Sequence, residues 1–302
     1  MITLNTDTGL VKIEKWEDIE ALPNFQINLN PSDHKLESII GRYIFKEKIR
    51  CGLSNCHAPH NKGYIVKTKE GSKTNIGKDC GKTYFGVDFE TLSNKYDRDT
   101  TEAENRDKLW SFSFKIEELQ EQITRLRQCE KGADWVYKKT RSLLNIGADC
   151  PDEIARHIQS LTKSRTSGLF KSREATDSEI ETLEITQNKK ITKPHFIDEK
   201  IADLIGLEAL YPENDLKNLL VLDLEHNIKT LNGADIDLLT FEELKHWSKW
   251  IGSIENILER VNYSIAAGKN LLTKSNLEPL TSVLTKSNDK STFRIFLKSL
   301  EN

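Results

Sequence analysis

The sequence predicts a mainly α chain carrying one small β-hairpin module, α+β overall, with helical arms and a helical C-terminal domain. Three observations carry that prediction. Seven prolines and fifteen glycines are few for 302 residues, which excludes long structureless runs. Two stretches repeat apolar residues at alternating spacings of three and four, the period of a buried helical stripe. A single stretch, Tyr64 to Ile76, alternates β-branched residues on both sides of a glycine turn. Charged residues make up 30% and apolar residues 37%, the balance of a surface-rich globular protein and not of a disordered or collagenous one. The densest apolar run, Leu219 to Leu222, falls far short of the ~18 residues a membrane span needs. Met1 to Asp7 has no basic start followed by an apolar stretch, so the expectation is a cytoplasmic chain with no secretory leader and no membrane partner.

Taken in order, Trp16 to Leu22 predicts a short helix closed by Pro23, followed by an extended link from Phe25 to Pro31. Tyr64-Ile65-Val66-Lys67-Thr68 and Lys73-Thr74-Asn75-Ile76 predict the two strands of a hairpin, turning at Lys69-Glu70-Gly71-Ser72. A helix is expected to start at Lys78. Leu109, Phe112, Ile116, Leu119, Ile123 and Leu126 form the first seam. Cys150-Pro151-Asp152 opens another helix, with proline at a favoured start. The basic, acid-free run 163–173 is expected to be an exposed linker. Thr176 with Glu179 predicts a capping box, as does Thr240 with Glu243. Helices are expected near 198–210 and 213–229. The second seam is Leu244, Trp247, Ile251, Ile254, Leu258, Val261 and Ile265, and residues 292–298 fit a strand or a final helix. The expected organisation is 1–98 with a module at 42–95, a helical arm over 99–162, a linker and helix over 163–195, and an acidic helical domain over 196–302. Each seam suits a helix–helix interface, either within one subunit or between copies in a homo-oligomer.

The chemistry concentrates in the cysteines. Cys51, Cys56 and Cys80 fall within thirty residues, and His57 and His60 lie among them. Structural zinc takes four thiolate or imidazole ligands in a tetrahedron. Cys51 and Cys56 on a tight turn supply two, and Cys80 returns from the far side of the hairpin. In the first turn of a helix its thiolate is stabilised by free N–H groups and the helix dipole. His60 is the preferred imidazole because three residues separate it from Cys56; His57 is the alternative. The opposing reading is three buried, unligated thiols with two surface histidines. Cys129 and Cys150 stand apart and read as ordinary thiols.

A turn with two ligands, a hairpin and a ligand at a helix start resembles the treble-clef family of zinc modules over about residues 42–95. It departs from that family's Cys-x-x-Cys at both corners: four residues separate the first pair, and the second corner has one cysteine. The resemblance implies a structural Zn2+. In length and helical layout the whole chain is similar to phage-encoded inhibitors of the Gabija anti-phage defence complex. That likeness implies a phage protein in the host cytoplasm that assembles around a host nuclease–helicase complex and blocks DNA access without chemistry of its own.

Charge separates two regions. Residues 42–82 hold ten bases against three acids, a balance of +7; residues 196–262 hold fourteen acids against six bases, a balance of −8. The first can attract phosphates, and the second fits an exposed face or a basic protein partner. No phosphate-binding loop, nucleophile elbow or dinucleotide fingerprint is present, and Gly77 to Gly81 is one residue short of a phosphate-loop spacing. Three readings follow. The first is a non-enzymatic, zinc-containing protein-binding factor. The second is a nucleic-acid-binding accessory protein using the basic module, weakly and in a salt-sensitive way. The third is an enzyme whose site is assembled only in space.

Overall fold

The computed structural model describes residues 2–6 and 9–301; Met1 and Asp7 of the N-terminal stretch read above lie outside the described residues. The chain forms two compact units, Met1–Ser111 with Asp235–Ser248, and Phe112–Ala234 with Lys249–Asn302. Among the described residues no helix is long and apolar enough to cross a membrane.

The first unit is built on a five-stranded antiparallel sheet, ordered β2-β1-β3-β4-β5. Its strands are β1 (Ile2–Thr6), β2 (Gly9–Ile13), β3 (Leu36–Arg50), β4 (Pro59–Thr68) and β5 (Lys73–Gly77), with the short helix α1 (Glu17–Glu20) between β2 and β3. The α+β class holds, but the expected hairpin is the β4–β5 margin of a larger sheet. Its turn closes with Thr68 N–H donating to Ser72 O, and Tyr64 pairs with Ile76 as the alternation requires. β3 escapes a sequence reading because its pairing slips between Ile44 and Ile49, where Lys46, Glu47 and Lys48 point to water. Asn61 bridges that slip by donating its amide to the carbonyls of Phe45 and Lys46.

Successive side chains on a strand alternate between faces, and here both faces are buried. One face packs Ile39, Tyr64, Val66 and Ile76 against Leu29, Leu53, Phe89 and Tyr96. The other packs Ile2, Leu4, Tyr43 and Ile65 against Ile19, with Trp16 and Phe25 at its margin. The link from Phe25 to Pro31 touches the sheet by single bridges, Phe25 to Lys73 and Leu29 to Leu53. α2 (Lys78–Ser113) covers the first face. It is broken at Gly86, whose φ of 58° is a left-handed conformation that L side chains resist. Phe89, just beyond the break and fully buried, lies against Gly81: a Cβ there would stand 2.3 Å from the Phe89 ring.

The second unit is mostly helical. Along the chain follow α3 (Ile116–Gln128), α4 (Ala133–Leu144), α5 (Asp152–Ser164), β6 (Gly168–Glu174), α6 (Asp177–Gln187) and β7 (Phe196–Asp203). A π-helix, Lys217–Glu225, runs into α7 (His226–Asn232), followed by α8 (Phe241–Leu271), which belongs to this unit from Lys249 on, α9 (Lys274–Leu277) and α10 (Ser287–Lys298). α10 settles residues 292–298 as helix. Both capping boxes form: Thr176 and Glu179 at α6, Thr240 and Glu243 at α8. The run 163–173 is not a bare linker, because its second half is β6, paired antiparallel with β7. β7 in turn occupies the start of the helix expected near 198–210. Ile116, Leu119 and Ile123 of the first seam and Ile254, Val261 and Ile265 of the second are buried within the single chain.

Candidate metal centre

β3 ends at Arg50 and the chain turns through Cys51-Gly52-Leu53-Ser54-Asn55-Cys56 before re-entering the sheet as β4. Backbone hydrogen bonds hold this turn on three sides. Cys51 N–H donates to Ala58 O at 3.1 Å, Gly52 N–H to Asn75 O at 2.8 Å, and Ser54 N–H to Leu29 O at 3.0 Å. Leu53, fully buried, plugs the turn into the core beneath it. Cys80 arrives in the first turn of α2, directly after β5. One turn further on, the Tyr84 hydroxyl donates to Asn55 O at 3.3 Å and clamps the helix to the turn.

The three sulfurs converge. The Sγ atoms of Cys51, Cys56 and Cys80 all lie within 4.8 Å of one another, and Cys56 and Cys80 are 3.1 Å apart. Tetrahedral zinc with Zn–S near ~2.3 Å sets its sulfurs ~3.8 Å apart, so this triangle fits a metal if the separations change by about 1 Å or less. The donor set also suits a soft or borderline ion. Three thiols this close could hold a metal ion, and these are the residues the sequence singled out.

Without a metal the three thiols are not equivalent. Burial pushes the Cys51 thiol above its ordinary value. Burial also raises Cys80, and donating to Cys56 raises it further, to about 12. Cys56 goes the other way: burial works against its thiolate, but the Ala58 amide and the two neighbouring thiols outweigh that and lower its pKa. Cys56 is therefore the group most ready to ionise, with Cys80 as its proton donor.

His60 sits elsewhere. Its Nδ1 contacts Ala58 O at 3.0 Å, and because a carbonyl can only accept, Nδ1 carries the proton. Nε2 then accepts from the Tyr43 hydroxyl, which itself accepts from the Asn75 side-chain amide at 3.1 Å. Burial lowers the His60 pKa and keeps the ring neutral. Neither ring nitrogen is free, and His60 is not among the clustered ligand atoms. His57 is exposed, follows Cys56 directly, adopts a left-handed φ of 52° that is uncommon outside glycine, and like His60 is not among the clustered ligand atoms. Cys129 is exposed; Cys150 is buried, which raises its thiol to about 12.

The sequence reading missed Tyr43 and Asn75. Asn75 is 1% exposed and ties the turn to β5: its side chain also donates to Arg50 O, and its carbonyl takes the Gly52 amide. A polar residue inside an alternating strand reads as solvent-facing, so nothing local marked it.

No family model, no curated protein and no solved structure matches this chain.

Proposed function

We propose that this chain is a non-enzymatic, zinc-containing protein-binding factor. The convergence of Cys51, Cys56 and Cys80 supports a structural Zn2+. Its ligands come from a turn and a helix start that the backbone already positions, as in the treble-clef modules it resembles. His57 is favoured for the fourth position, because both nitrogens of His60 are committed to Ala58 and Tyr43. Bound there, zinc would join the Cys51–Cys56 turn to α2 and replace protons that the thiols otherwise hold. Partner binding is assigned to the helical second unit. The likeness to phage inhibitors of the Gabija complex rests on length and helical layout, and the proposal does not depend on it.

The test has two arms. Elemental analysis of protein purified without chelator should find one zinc per chain, and the cobalt-substituted protein should show tetrahedral thiolate absorption that changes in His57→Ala and not in His60→Ala. The tagged full chain should retain a stoichiometric protein partner after nuclease treatment. Metal-free protein, or a catch that disappears with nuclease, would count against the corresponding half of the proposal.

A basic cavity in the first unit favours a second reading, nucleic-acid binding. Arg42, Lys62 and Lys78 line a cavity of about 370 Å³ together with Ile44, Tyr64 and Asp97. Arg42 is already paired with Glu104 at 2.6 Å and Asp97 at 3.7 Å, which leaves Lys62 and Lys78 as the available cations. Contact with Z phosphates of duplex DNA would give a log–log salt slope near about −0.9Z. Binding through these two lysines should therefore show a slope near about −2 and weaken strongly at physiological salt.

A further inference from the structure

The three sulfurs of the cluster differ in where they sit. Cys51 is 1% exposed, and its Sγ faces Asn75 O at 3.9 Å. Cys56 and Cys80 are only half-buried. Cys56 lies between the exposed residues Asn55 and His57, and Cys80 directly follows exposed Lys78 and Asp79, so solvent reaches both. The Sγ atoms of these two are 3.1 Å apart. A disulfide bond is ~2.05 Å long, so about 1 Å of approach separates the pair from a covalent bond. Their backbones belong to different elements, the turn after β3 and the first turn of α2. The Tyr84 hydroxyl, bonded to Asn55 O, holds those elements together beside the pair. The two cysteines are 24 positions apart, and the whole β4–β5 hairpin lies between them.

We infer that Cys56 and Cys80 form a peroxide-sensitive pair whose oxidation to a disulfide expels the metal. The inference rests on the zinc reading above and names the regulation of that site. The Cys56 sulfur attacks one oxygen of a peroxide. The O–O bond breaks, Cys56 becomes a sulfenic acid, and the departing hydroxide takes up a proton to leave as water. The Cys80 sulfur then attacks the Cys56 sulfur: the S–S bond forms, the S–O bond breaks, and a second hydroxide leaves as water. The two sulfurs lose two electrons and the peroxide gains them. In the metal-free site both protons come from the thiols; in the loaded site they come from solvent, and Zn2+ departs. Zinc binds thiolates, which the disulfide no longer offers. Cys51 and one imidazole then remain, two ligands where a closed tetrahedron takes four. The new bond still ties α2 to the turn, so the first unit keeps that join as it loses its metal. Cys51 is spared because an oxidant from solvent meets the other two first.

The test uses the full chain, loaded with zinc and treated with a single equivalent of hydrogen peroxide. A chromogenic indicator reads released zinc, and alkylation in denaturant followed by peptide mass spectrometry maps the thiols. Cys129, exposed in the second unit, is the internal competitor. The expected product is one internal disulfide, Cys56 to Cys80, with zinc released in step with it and Cys51 and Cys129 still open to alkylation. A dithiol reductant should restore zinc binding. In the presence of chelator the oxidised chain should keep a cooperative melt that the reduced chain loses. Oxidation of Cys129 ahead of the pair, a disulfide that includes Cys51, or zinc retained by a chain carrying the Cys56–Cys80 bond would overturn the inference while the zinc reading stands. A chain that takes up no zinc before peroxide is added fails the zinc reading itself, and the release step falls with it.

Discussion

On the zinc reading proposed above, Cys80→Ser removes the ligand that would join α2 to the Cys51–Cys56 turn, and its effect can be worked from the cluster. Two unit negative charges ~4 Å apart repel by ~4 kcal/mol even at an effective dielectric constant of ~20. Three sulfurs within 4.8 Å therefore cannot all ionise without a cation. At pH 7 the metal-free site holds protons on Cys51 and Cys80, both raised by burial, while Cys56 is the most acidic of the three. Loading zinc at that pH should release protons to the buffer, since ligating thiols must be deprotonated. A structural zinc site supplies ~10–16 kcal/mol of apparent binding free energy, against ~5–15 kcal/mol for the stability of a whole domain. A first unit that owes its fold to such a site could not lose that contribution and stay fully folded. With ~1 kcal/mol worth roughly 3–6 °C of melting temperature at this size, loss of even ~4 kcal/mol lowers Tm by well over 10 °C. Calorimetric melts with zinc and with chelator measure the effect, hydrogen exchange at residues 51–60 and 78–86 locates it, and titration in two buffers of different ionisation enthalpy counts the protons. Identical melts with zinc and chelator, together with no proton release, would refute the reasoning.

His157 on α5 has a buried Nε2 with no hydrogen-bond partner, and burial lowers its pKa. The folded state therefore prefers the neutral ring: stability is complete above the unfolded value near about 6.5 and falls as pH drops through it, because the unfolded chain then takes up a proton the folded chain resists. Urea midpoints should decline from pH 7.5 to 5.5, and His157→Leu should flatten that decline; equal slopes in both proteins would contradict it. Gly81→Ala drives a Cβ into the buried Phe89 ring, which should cost ~1–3 kcal/mol in denaturant unfolding, and an unchanged midpoint would show that the ring yields freely. Ile116→Asp with Ile123→Asp places two carboxylates at positions 5% and 2% exposed within one chain, so the second unit should lose cooperative unfolding. Smaller particles by light scattering, with helix content and melting intact, would instead assign that stripe to a contact between subunits.

What the sequence disclosed and what it hid divide along the range of the interactions. The cysteine cluster was readable because its parts are local: a tight turn, a hairpin with a glycine-bearing reversal, and a helix start place Cys51, Cys56 and Cys80 together with few alternatives. Both capping boxes were readable for the same reason, each needing only residues three apart. The rest depended on distant partners. β3 finds β1 across some thirty residues, and its alternation is interrupted where Lys46 to Lys48 leave the ladder. β6 is short and buries only Leu169 fully, and only β7, more than twenty residues later, makes it a strand. His60 offered the better spacing for a ligand, yet Tyr43 reaches it from a neighbouring strand and takes the nitrogen a metal would need.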